Sequence, residues 1–261
     1  MTTSLRSNVV SSFTIVKGAM IDETFAVFRA WDFARSKREN LDRLRDTNFI
    51  GAKSATWLRD VAKVLNRRFD PDRRDRVLVH LAQQNCPFDE WKPILLWHMT
   101  RDEFLLSDFI QHWLFKAYTK GQFRVRPEGL HAYLKNIGRR GGVTEHGWTD
   151  ATLHRVAAGL LRIAADFDLL KGAVTKEFTA YHLPERSFIY LLHAIQEREL
   201  SPGRLMAAPD WRLFLMSPAD VERELLRLHQ YRKIRYEVAG SLIQLSLPCP
   251  SARDYAERMA A

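Results

Sequence analysis

The chain of 261 residues has little of what cross-links a fold or anchors it in a membrane. Its only two cysteines, Cys86 and Cys249, lie far apart and belong to no Cys-x-x-Cys or Cys/His cluster. The sequence therefore predicts neither a disulfide framework nor a zinc site. No apolar stretch is long enough to cross a bilayer. The first dozen residues are largely polar and the apolar run from Phe13 is broken by Lys17, which argues against a signal peptide, so we expect a cytoplasmic protein.

Signatures of the common catalytic and cofactor sites are also missing. There is no Gly-x-x-x-x-Gly-Lys-Ser/Thr, no Gly-x-Gly-x-x-Gly after a strand, no Gly-x-Ser-x-Gly and no His-Glu-x-x-His. Asp72, followed by Glu90 and Lys92, matches the bare pattern of a restriction-type nuclease, in which such residues hold Mg²⁺ and activate water. That site needs its carboxylates on adjoining strands, whereas Arg73–Gln84 has a helical pattern. We therefore expect a protein that is not an enzyme and uses no metal or cofactor; the nuclease alternative predicts Mg²⁺-dependent cutting that Asp72→Ala abolishes.

What the sequence does have is positive charge. Lys and Arg number 40 against 31 Asp and Glu, a formal net charge of +9. The surplus is concentrated, because residues 35–76 hold 13 Lys/Arg against 7 Asp/Glu and residues 120–162 hold 8 against 3. Such an excess favours partners that carry phosphate. We expect the partner to be double-stranded DNA rather than a membrane.

Hydrophobic periodicity predicts a mainly α protein. Glycines crowd the chain after Lys120, which places a boundary between a helical domain, residues 1–120, and a second domain, residues 121–261. The first domain is expected to contain a helix-turn-helix-like element, and the second winged-helix-like units with short β-hairpins. Helices are predicted at Ile21–Ala34, Glu39–Thr47, Ser54–Phe69, Arg73–Gln84, Trp91–His98, Glu103–Tyr118 and Pro127–Asn136.

The helix-turn-helix-like element combines the predicted helices Glu39–Thr47 and Ser54–Phe69. Cations recur at every fourth position of the second helix and share one ridge, which can lie across phosphates. The alternative is a solvated helix face on which aspartates such as Asp60 pair with the arginines. The cations concerned are Lys53 ahead of the helix and Arg59, Lys63 and Arg67 within it.

A winged-helix-like unit is predicted from Gly147 to Leu183, where a helix capped by Thr149 precedes a β-prone hairpin. Its apolar face holds Leu153, Val156, Leu160, Ala164 and Phe167, and its polar stripe holds Thr152, Arg155, Gly159 and Arg162. A glycine inside a helix costs about 1 kcal/mol relative to alanine. Close approach to a phosphate or to another backbone would explain Gly159.

Two further segments of the second domain carry cations. The loop Gly138–Gly142 includes Arg139 and Arg140, and its amides and guanidinium groups could hold a phosphate. A capped helix beginning near Ser217 leads into a terminal hairpin. The cations of that unit alternate with carboxylates, so we expect a structural role for it.

The order of three segments resembles that of the BrxA family, a small component of the bacteriophage exclusion (BREX) defence systems. These are Ser12–Met20 (SFTIVKGAM), the basic segment Ala52–Phe69, and Thr149–Leu170. The last segment resembles a family segment with a Gly-Leu-Leu type ending, but this chain has Asp168 where the glycine is expected. The resemblance implies a mainly helical, non-enzymatic protein that binds double-stranded DNA beside other BREX components. The residues that it assigns to DNA are Lys53, Arg59, Arg67, Arg68, Thr152, Arg155 and Arg162.

The sequence thus favours an accessory protein of phage defence that binds the phosphate backbone of DNA through its basic helices. We expect little sequence specificity, because no Asn/Gln-rich helix face is present to read adenines. One alternative is a winged-helix transcriptional regulator, which predicts preference for one promoter site. The other is a protein-interaction scaffold within the defence complex, which predicts negligible DNA affinity.

Overall fold

A computed structural model of the chain describes residues 8–144, 147–199, 201–240 and 242–260. Within these ranges the protein is mainly α, as predicted, with short antiparallel hairpins. No helix of the described ranges combines the length and apolar character needed to cross a membrane. The helices of the first half are α1 (Ser12–Lys17), α2 (Ile21–Arg29), α3 (Lys37–Thr47), α4 (Ala55–Arg68), α5 (Arg76–Gln83), α6 (Phe88–Met99), α7 (Phe104–Asp108) and α8 (Phe115–Thr119).

The second half alternates helices with short strands. A π-helical segment, Phe109–Leu114, joins α7 to α8, and 3₁₀ turns precede or follow several of the later helices. The remaining helices are α9 (His131–Lys135), α10 (Asp150–Asp166), α11 (Glu185–Gln196), α12 (Pro202–Met206), α13 (Pro218–Gln230) and α14 (Ala252–Ala260). The strands are β1 (Arg124–Val125), β2 (Leu170–Lys171), β3 (Lys176–Phe178), β4 (Arg235–Ala239) and β5 (Leu242–Ser246).

The predicted helix Ile21–Ala34 was too long, because α2 ends at Arg29. Side chains of α3 explain the early end. The Asn40 amide donates to the Asp32 carbonyl at 2.9 Å and accepts from the Asp32 N–H at 2.9 Å. The Arg43 guanidinium donates to the Ala30 carbonyl. These bonds satisfy backbone groups of the turn that a longer helix would have satisfied itself.

The predicted pair of basic helices corresponds to α3 and α4, which pack against each other. Asn48 ends α3 in the left-handed conformation (φ 46°), and its side chain both donates to the Ala52 carbonyl and accepts from the Ala52 N–H. Ser54 then caps α4 by accepting from the Trp57 N–H at 3.1 Å. The apolar residues on the facing sides of α3 and α4 are buried: Leu41, Leu44, Leu58, Val61, Ala62 and Leu65.

The predicted winged-helix-like unit is built around α10. A three-stranded sheet of order β1-β3-β2 lies beside it, with Arg124 opposite Glu177 and Leu170 opposite Phe178. The chain order is α7–α8, β1, α9, α10, β2, β3, so the hairpin follows the helix as predicted. Thr149 caps α10 by accepting from the Thr152 N–H.

Asp168, at the turn between α10 and β2, has φ 62°. This left-handed conformation is the one that glycine adopts most readily, which explains why a glycine is expected there.

The terminal unit repeats a helix followed by a hairpin. Ser217 and Asp220 form a reciprocal capping box at the start of α13, as the sequence predicts. The apolar face of α13 is fully buried, and β4 pairs with β5 from Arg235↔Ser246 to Ala239↔Leu242. The turn residue Ser241 lies outside the described residues.

Elements from both sides of Lys120 share one continuous hydrophobic core. Helix α11 packs on α6, and α14 packs on α5 and α11. A buried polar chain crosses the same contact, since His98 bonds the Asp75 carboxylate at 2.7 Å and the Tyr190 hydroxyl at 2.9 Å. The domain boundary near Lys120 stays a prediction.

Candidate nucleic-acid interface

Helix α1 lies between the two predicted DNA-binding helices, α4 and α10, and contacts both. On the α4 side, the Lys63 ammonium lies 4.5 Å from the centre of the Phe13 ring. On the α10 side, the Arg162 guanidinium donates to the Val16 carbonyl. The basic residues of α4 and α10 therefore belong to one surface, with α1 running along its middle.

Gly159 is explained by this packing. A Cβ atom at that position would lie 2.8 Å from the backbone oxygen of Ile15, closer than van der Waals contact allows. Ile15 itself is completely buried. The sequence allowed two explanations for Gly159, close approach to a phosphate or to another backbone. The structure shows close approach to the backbone of α1.

Helix α4 presents its three predicted ridge cations to solvent. Arg59, Lys63 and Arg67 are all exposed, as is Lys53 ahead of the helix. Within the described part of the chain, the Arg59 guanidinium donates only to the Thr56 hydroxyl, at 3.2 Å. Asp60 does not pair with this ridge, because its carboxylate binds the Lys17 ammonium of α1. The ridge keeps its charge, contrary to the paired-face alternative.

The basic loop is attached to the same surface by the N-terminal segment. Val10 donates to the Val143 carbonyl, and Arg67 donates to the Val9 carbonyl at 3.5 Å. The predicted loop Gly138–Gly142 overlaps a 3₁₀ helix, Ile137–Arg140. Adjacent residues of the N-terminal segment, Val9 and Val10, thus bond the end of α4 and the chain just beyond this 3₁₀ helix.

The two arginines of that 3₁₀ helix differ. Arg139 is exposed and has no ion pair among the described residues. Arg140 binds the Asp108 carboxylate with two hydrogen bonds, of 2.7 and 2.9 Å. Asp108 also accepts from the Tyr133 hydroxyl at 2.8 Å. The Asp108 contact raises the pKa of Arg140. The Asp108 carboxylate thus already compensates much of the charge of Arg140.

Arg68 was assigned to DNA, and its position contradicts that assignment. The side chain is fully buried and its guanidinium bonds the Glu103 carboxylate at 3.2 Å, the Thr14 carbonyl at 2.8 Å and the Ala19 carbonyl at 3.0 Å. Burial lowers the pKa of Arg68, although Glu103 opposes that shift. Arg68 therefore anchors α1 to α4 and cannot reach a phosphate in this structure.

The polar stripe of α10 is only partly available. Arg155 is exposed, Thr152 shares a hydrogen bond with Thr149 at 3.0 Å, and Arg162 is exposed while bonded to α1. Because α1 covers Gly159 in the middle of the stripe, α10 cannot lay that whole face into a DNA groove. Its arginines instead flank α1.

A second carboxylate beside this surface, Asp166, is also engaged within the protein. Asp166, at the end of α10, accepts from the Ala19 N–H at 3.4 Å. Burial raises the pKa of Asp166, against the lowering effects of that bond and of Arg162. Among the described residues, the predicted site cations without an ion pair are Lys53, Arg59, Lys63, Arg67, Arg139, Arg155 and Arg162. We call this set the basic face.

The bare nuclease pattern is not assembled. Asp72 accepts from the Trp31 indole at 3.3 Å, while Glu90 pairs with Arg186 and Lys92 pairs with Asp168. Glu90 and Lys92 lie on a helix, α6, rather than on strands. Across the described ranges, no group of His, Cys, Asp and Glu side chains is arranged to hold a metal ion.

Sequence reasoning missed the role of α1. The segment is only six residues long, and its pattern does not reveal which helices it separates. For Arg68 a signal was present, because Val61, Leu65 and Arg68 follow helical spacing and share the buried face of α4.

A protein-family model described as BrxA matches residues 11–194 of the chain, a range that includes α1, α4 and α10. No curated protein matches the chain.

Proposed function

The chain belongs to the BrxA family and is thus a component of a BREX phage-defence system, and we propose that it binds double-stranded DNA by the phosphate backbone. The observation that carries this proposal is the basic face, in which cations without ion pairs flank α1 on both sides. A family component with such a surface can bring the defence machinery to DNA.

The arrangement of the cations about α1 suits a duplex. They lie on opposite sides of α1, and an α-helix with its side chains is about 10–12 Å wide. The major groove of B-DNA is about 12 Å wide. Arginines and lysines on the two sides can therefore contact phosphates of both strands at once.

Backbone contact is favoured over base reading. Helix α10 is blocked by α1 at Gly159, so it cannot enter a groove with its polar stripe. Three of the six exposed residues of α4, Arg59, Lys63 and Arg67, are cations, which bind phosphate irrespective of sequence. The proposed role is binding rather than catalysis, with Asp72, Glu90 and Lys92 engaged in separate structural contacts.

The test is a titration of duplexes of about 30 base pairs and unrelated sequence over a salt series. We expect all duplexes to bind alike. The variant Arg59→Gln/Lys63→Gln/Arg67→Gln should bind at least about tenfold more weakly, and its log–log salt slope should be shallower by about 2.7, or 0.9 for each lost phosphate contact.

A matched control removes the same charge elsewhere. The variant Arg223→Gln/Arg232→Gln/Arg235→Gln changes the C-terminal unit and should leave both affinity and salt slope near those of the unaltered protein. Equal losses in the two variants would mean that only net charge matters, and unchanged binding in the first would remove α4 from the interface.

A protein-interaction role is a second candidate, and it concerns the C-terminal unit. Four of the five cations from Ser217 to Ser246 are ion-paired: Arg223, Arg227, Lys233 and Arg235. Leu226 and Leu242 are nevertheless 46% and 72% exposed. A neutral surface with exposed leucines suits another BREX component better than DNA. The variant Leu226→Asp/Leu242→Asp should then lose co-purifying BREX components while keeping its DNA affinity; retained components would contradict this role.

A further inference from the structure

We propose that a second surface of the protein binds single-stranded DNA by stacking bases on Phe123. This surface, which we call the wing surface, comprises residues 120–126 and 171–178 around the sheet of β1, β2 and β3. It shares no residue with the basic face, and the proposal does not depend on duplex binding.

Phe123 is the central feature of the wing surface. Its side chain is 63% exposed, immediately before β1. The Arg124 guanidinium lies 5.4 Å from the centre of its ring. Contact between an exposed phenylalanine ring and water is unfavourable, so covering the ring with a base would be favourable. Here the adjoining guanidinium can extend the flat surface on which a base would stack.

Other aromatic rings continue the surface along the sheet. Arg124 pairs with Glu177, so the same register carried one residue further places Phe123 opposite Phe178. The Phe178 ring lies 5.4 Å from that of Tyr118, which is 41% exposed. The wing surface itself holds the exposed Phe123 and the partly buried Phe178, which lies beside Tyr118 just outside it. Sheet-based binders of unpaired nucleotides likewise present aromatic rings.

Charge around the rings is strongly positive. The wing surface contains five cations and one carboxylate, Glu177, which is bound by Arg124 at 2.9 Å. Arg126 donates to the Thr175 hydroxyl at 3.0 Å. Lys120 and Lys171 are exposed and have no ion pair in the described part of the chain. Such a charge attracts phosphates and disfavours a basic or neutral protein partner.

Aromatic rings interleaved with cations select unpaired strands. In a duplex the faces of the bases are stacked on one another and only their edges are accessible. A single strand exposes its base faces, and proteins that bind such strands combine aromatic platforms with a positively charged track for the backbone.

Tyr231 provides an internal comparison. It is 65% exposed and has the Arg227 guanidinium 5.7 Å from its ring centre, much like Phe123 and Arg124. However, Arg227 is ion-paired with both Glu224 and Glu185. Tyr231 is therefore an exposed ring in surroundings that are close to neutral. It lacks the positive charge needed to bind the phosphates of a strand.

The experiment measures fluorescence anisotropy of a labelled oligothymidine of about 20 nucleotides on titration with the full chain. We expect Phe123→Ala to weaken binding about tenfold, Phe123→Tyr to bind normally, and Tyr231→Ala to bind normally. A strand of equal length made of abasic sites should bind the unaltered protein more weakly, and Phe123→Ala should not weaken that binding further. Unchanged thermal melting of each variant verifies folding.

Several results would overturn the proposal. These are normal oligothymidine binding by Phe123→Ala, an equal loss in Tyr231→Ala, equal affinity for abasic and normal strands, or no single-strand binding. An equal loss of duplex and single-strand affinity in Phe123→Ala would instead place the wing surface on duplex DNA. Tighter binding of the corresponding RNA would exclude single-stranded DNA as the preferred ligand. If the Arg59→Gln/Lys63→Gln/Arg67→Gln variant loses duplex binding and Phe123→Ala does not, the two surfaces act independently.

Discussion

Gly159 of α10 and Ile15 of α1 approach so closely that a Cβ atom on the glycine would lie 2.8 Å from the Ile15 carbonyl oxygen. This contact fixes α1 between the two sets of cations that form the basic face. The geometry of the proposed DNA-binding surface thus depends on a residue without a side chain.

We predict that Gly159→Ala destabilises the protein even though alanine favours helix formation. The methyl group must push α1 away from α10, and such overpacking costs about 1–3 kcal/mol. That corresponds to a fall in melting temperature of about 2–4 °C per kcal/mol. Gly203→Ala is the control, because the nearest atom to its added Cβ is 4.0 Å away. A melting temperature for Gly159→Ala equal to or above that of the unaltered protein would contradict the packing argument.

Arg67 and Arg68 are adjacent in sequence but should respond oppositely to mutation. Arg67→Gln should lower duplex affinity and leave the melting temperature unchanged, because its side chain is exposed. Arg68→Met should destabilise the protein by about 3–5 kcal/mol, because it leaves the buried Glu103 carboxylate without its partner.

Chemical denaturation and duplex titration of both variants separate the two effects. The double variant Arg68→Met/Glu103→Leu should recover most of the lost stability, since it removes both buried charges. An Arg68→Met protein as stable as the original would mean that the ion pair is unimportant.

His193 should make the fold sensitive to acid. The side chain is 2% exposed and stacks on Tyr255 with ring centres 5.3 Å apart. Burial lowers the pKa of His193 from its ordinary 6.5 to about 4, and nearby Asp254 only partly opposes this shift. Between these values the unfolded chain binds more protons than the folded protein, so the free energy of unfolding falls as the pH falls.

His193→Phe tests this linkage, because it keeps an aromatic ring against Tyr255 but cannot take up a proton. The His193 contribution at its largest is about 3 kcal/mol. Urea unfolding at several pH values from 6.5 down to about 4 should show that the free energy of unfolding depends less steeply on pH in the variant than in the unaltered protein. Some dependence should remain, because burial also lowers the pKa of His98. An identical pH dependence in both proteins would exclude His193 as its source.

The variant Asp168→Gly should be more stable than the variant Asp168→Ala. Both substitutions remove the ion pair with Lys92, whose Nζ lies 2.6 Å from the carboxylate. They differ in the left-handed backbone at φ 62°, which costs alanine about 1 kcal/mol more than glycine. Thermal melting should therefore rank Asp168→Gly above Asp168→Ala by a few degrees. The reverse order would mean that the turn relaxes when the side chain is removed.

Much of the fold could be predicted because its signals are local. The N-caps Thr149 and Ser217 were predicted from hydroxyl residues ahead of apolar periodicity, and both accept the expected backbone hydrogen bonds. The α4 ridge was predicted as a shared face by the four-residue spacing of its cations. Its exposure follows from the same periodicity, because the apolar residues of α4 occupy the opposite side.

The parts that were wrong or undecided depend on distant contacts. Whether Gly159 meets a phosphate or a backbone depends on Ile15, far away in the sequence. Whether an arginine is available depends on its carboxylate: Arg140 is bound by Asp108, whereas Arg139 beside it is unpaired among the described residues. Helical spacing alone could have placed Arg68 on the buried face of α4, but its partner Glu103 could not be identified.

The sequence by itself determined the mainly α class, the capped helices followed by hairpins, and a positive charge concentrated in two stretches, because periodicity, capping and composition act over a few residues. Only the tertiary structure decided that α1 separates α4 from α10 and joins their cations into one face. It also decided which cations are neutralised by burial or by a carboxylate. The physical reason is that a charge binds a ligand only if no group of its own protein has already compensated it, and that depends on residues brought together by folding.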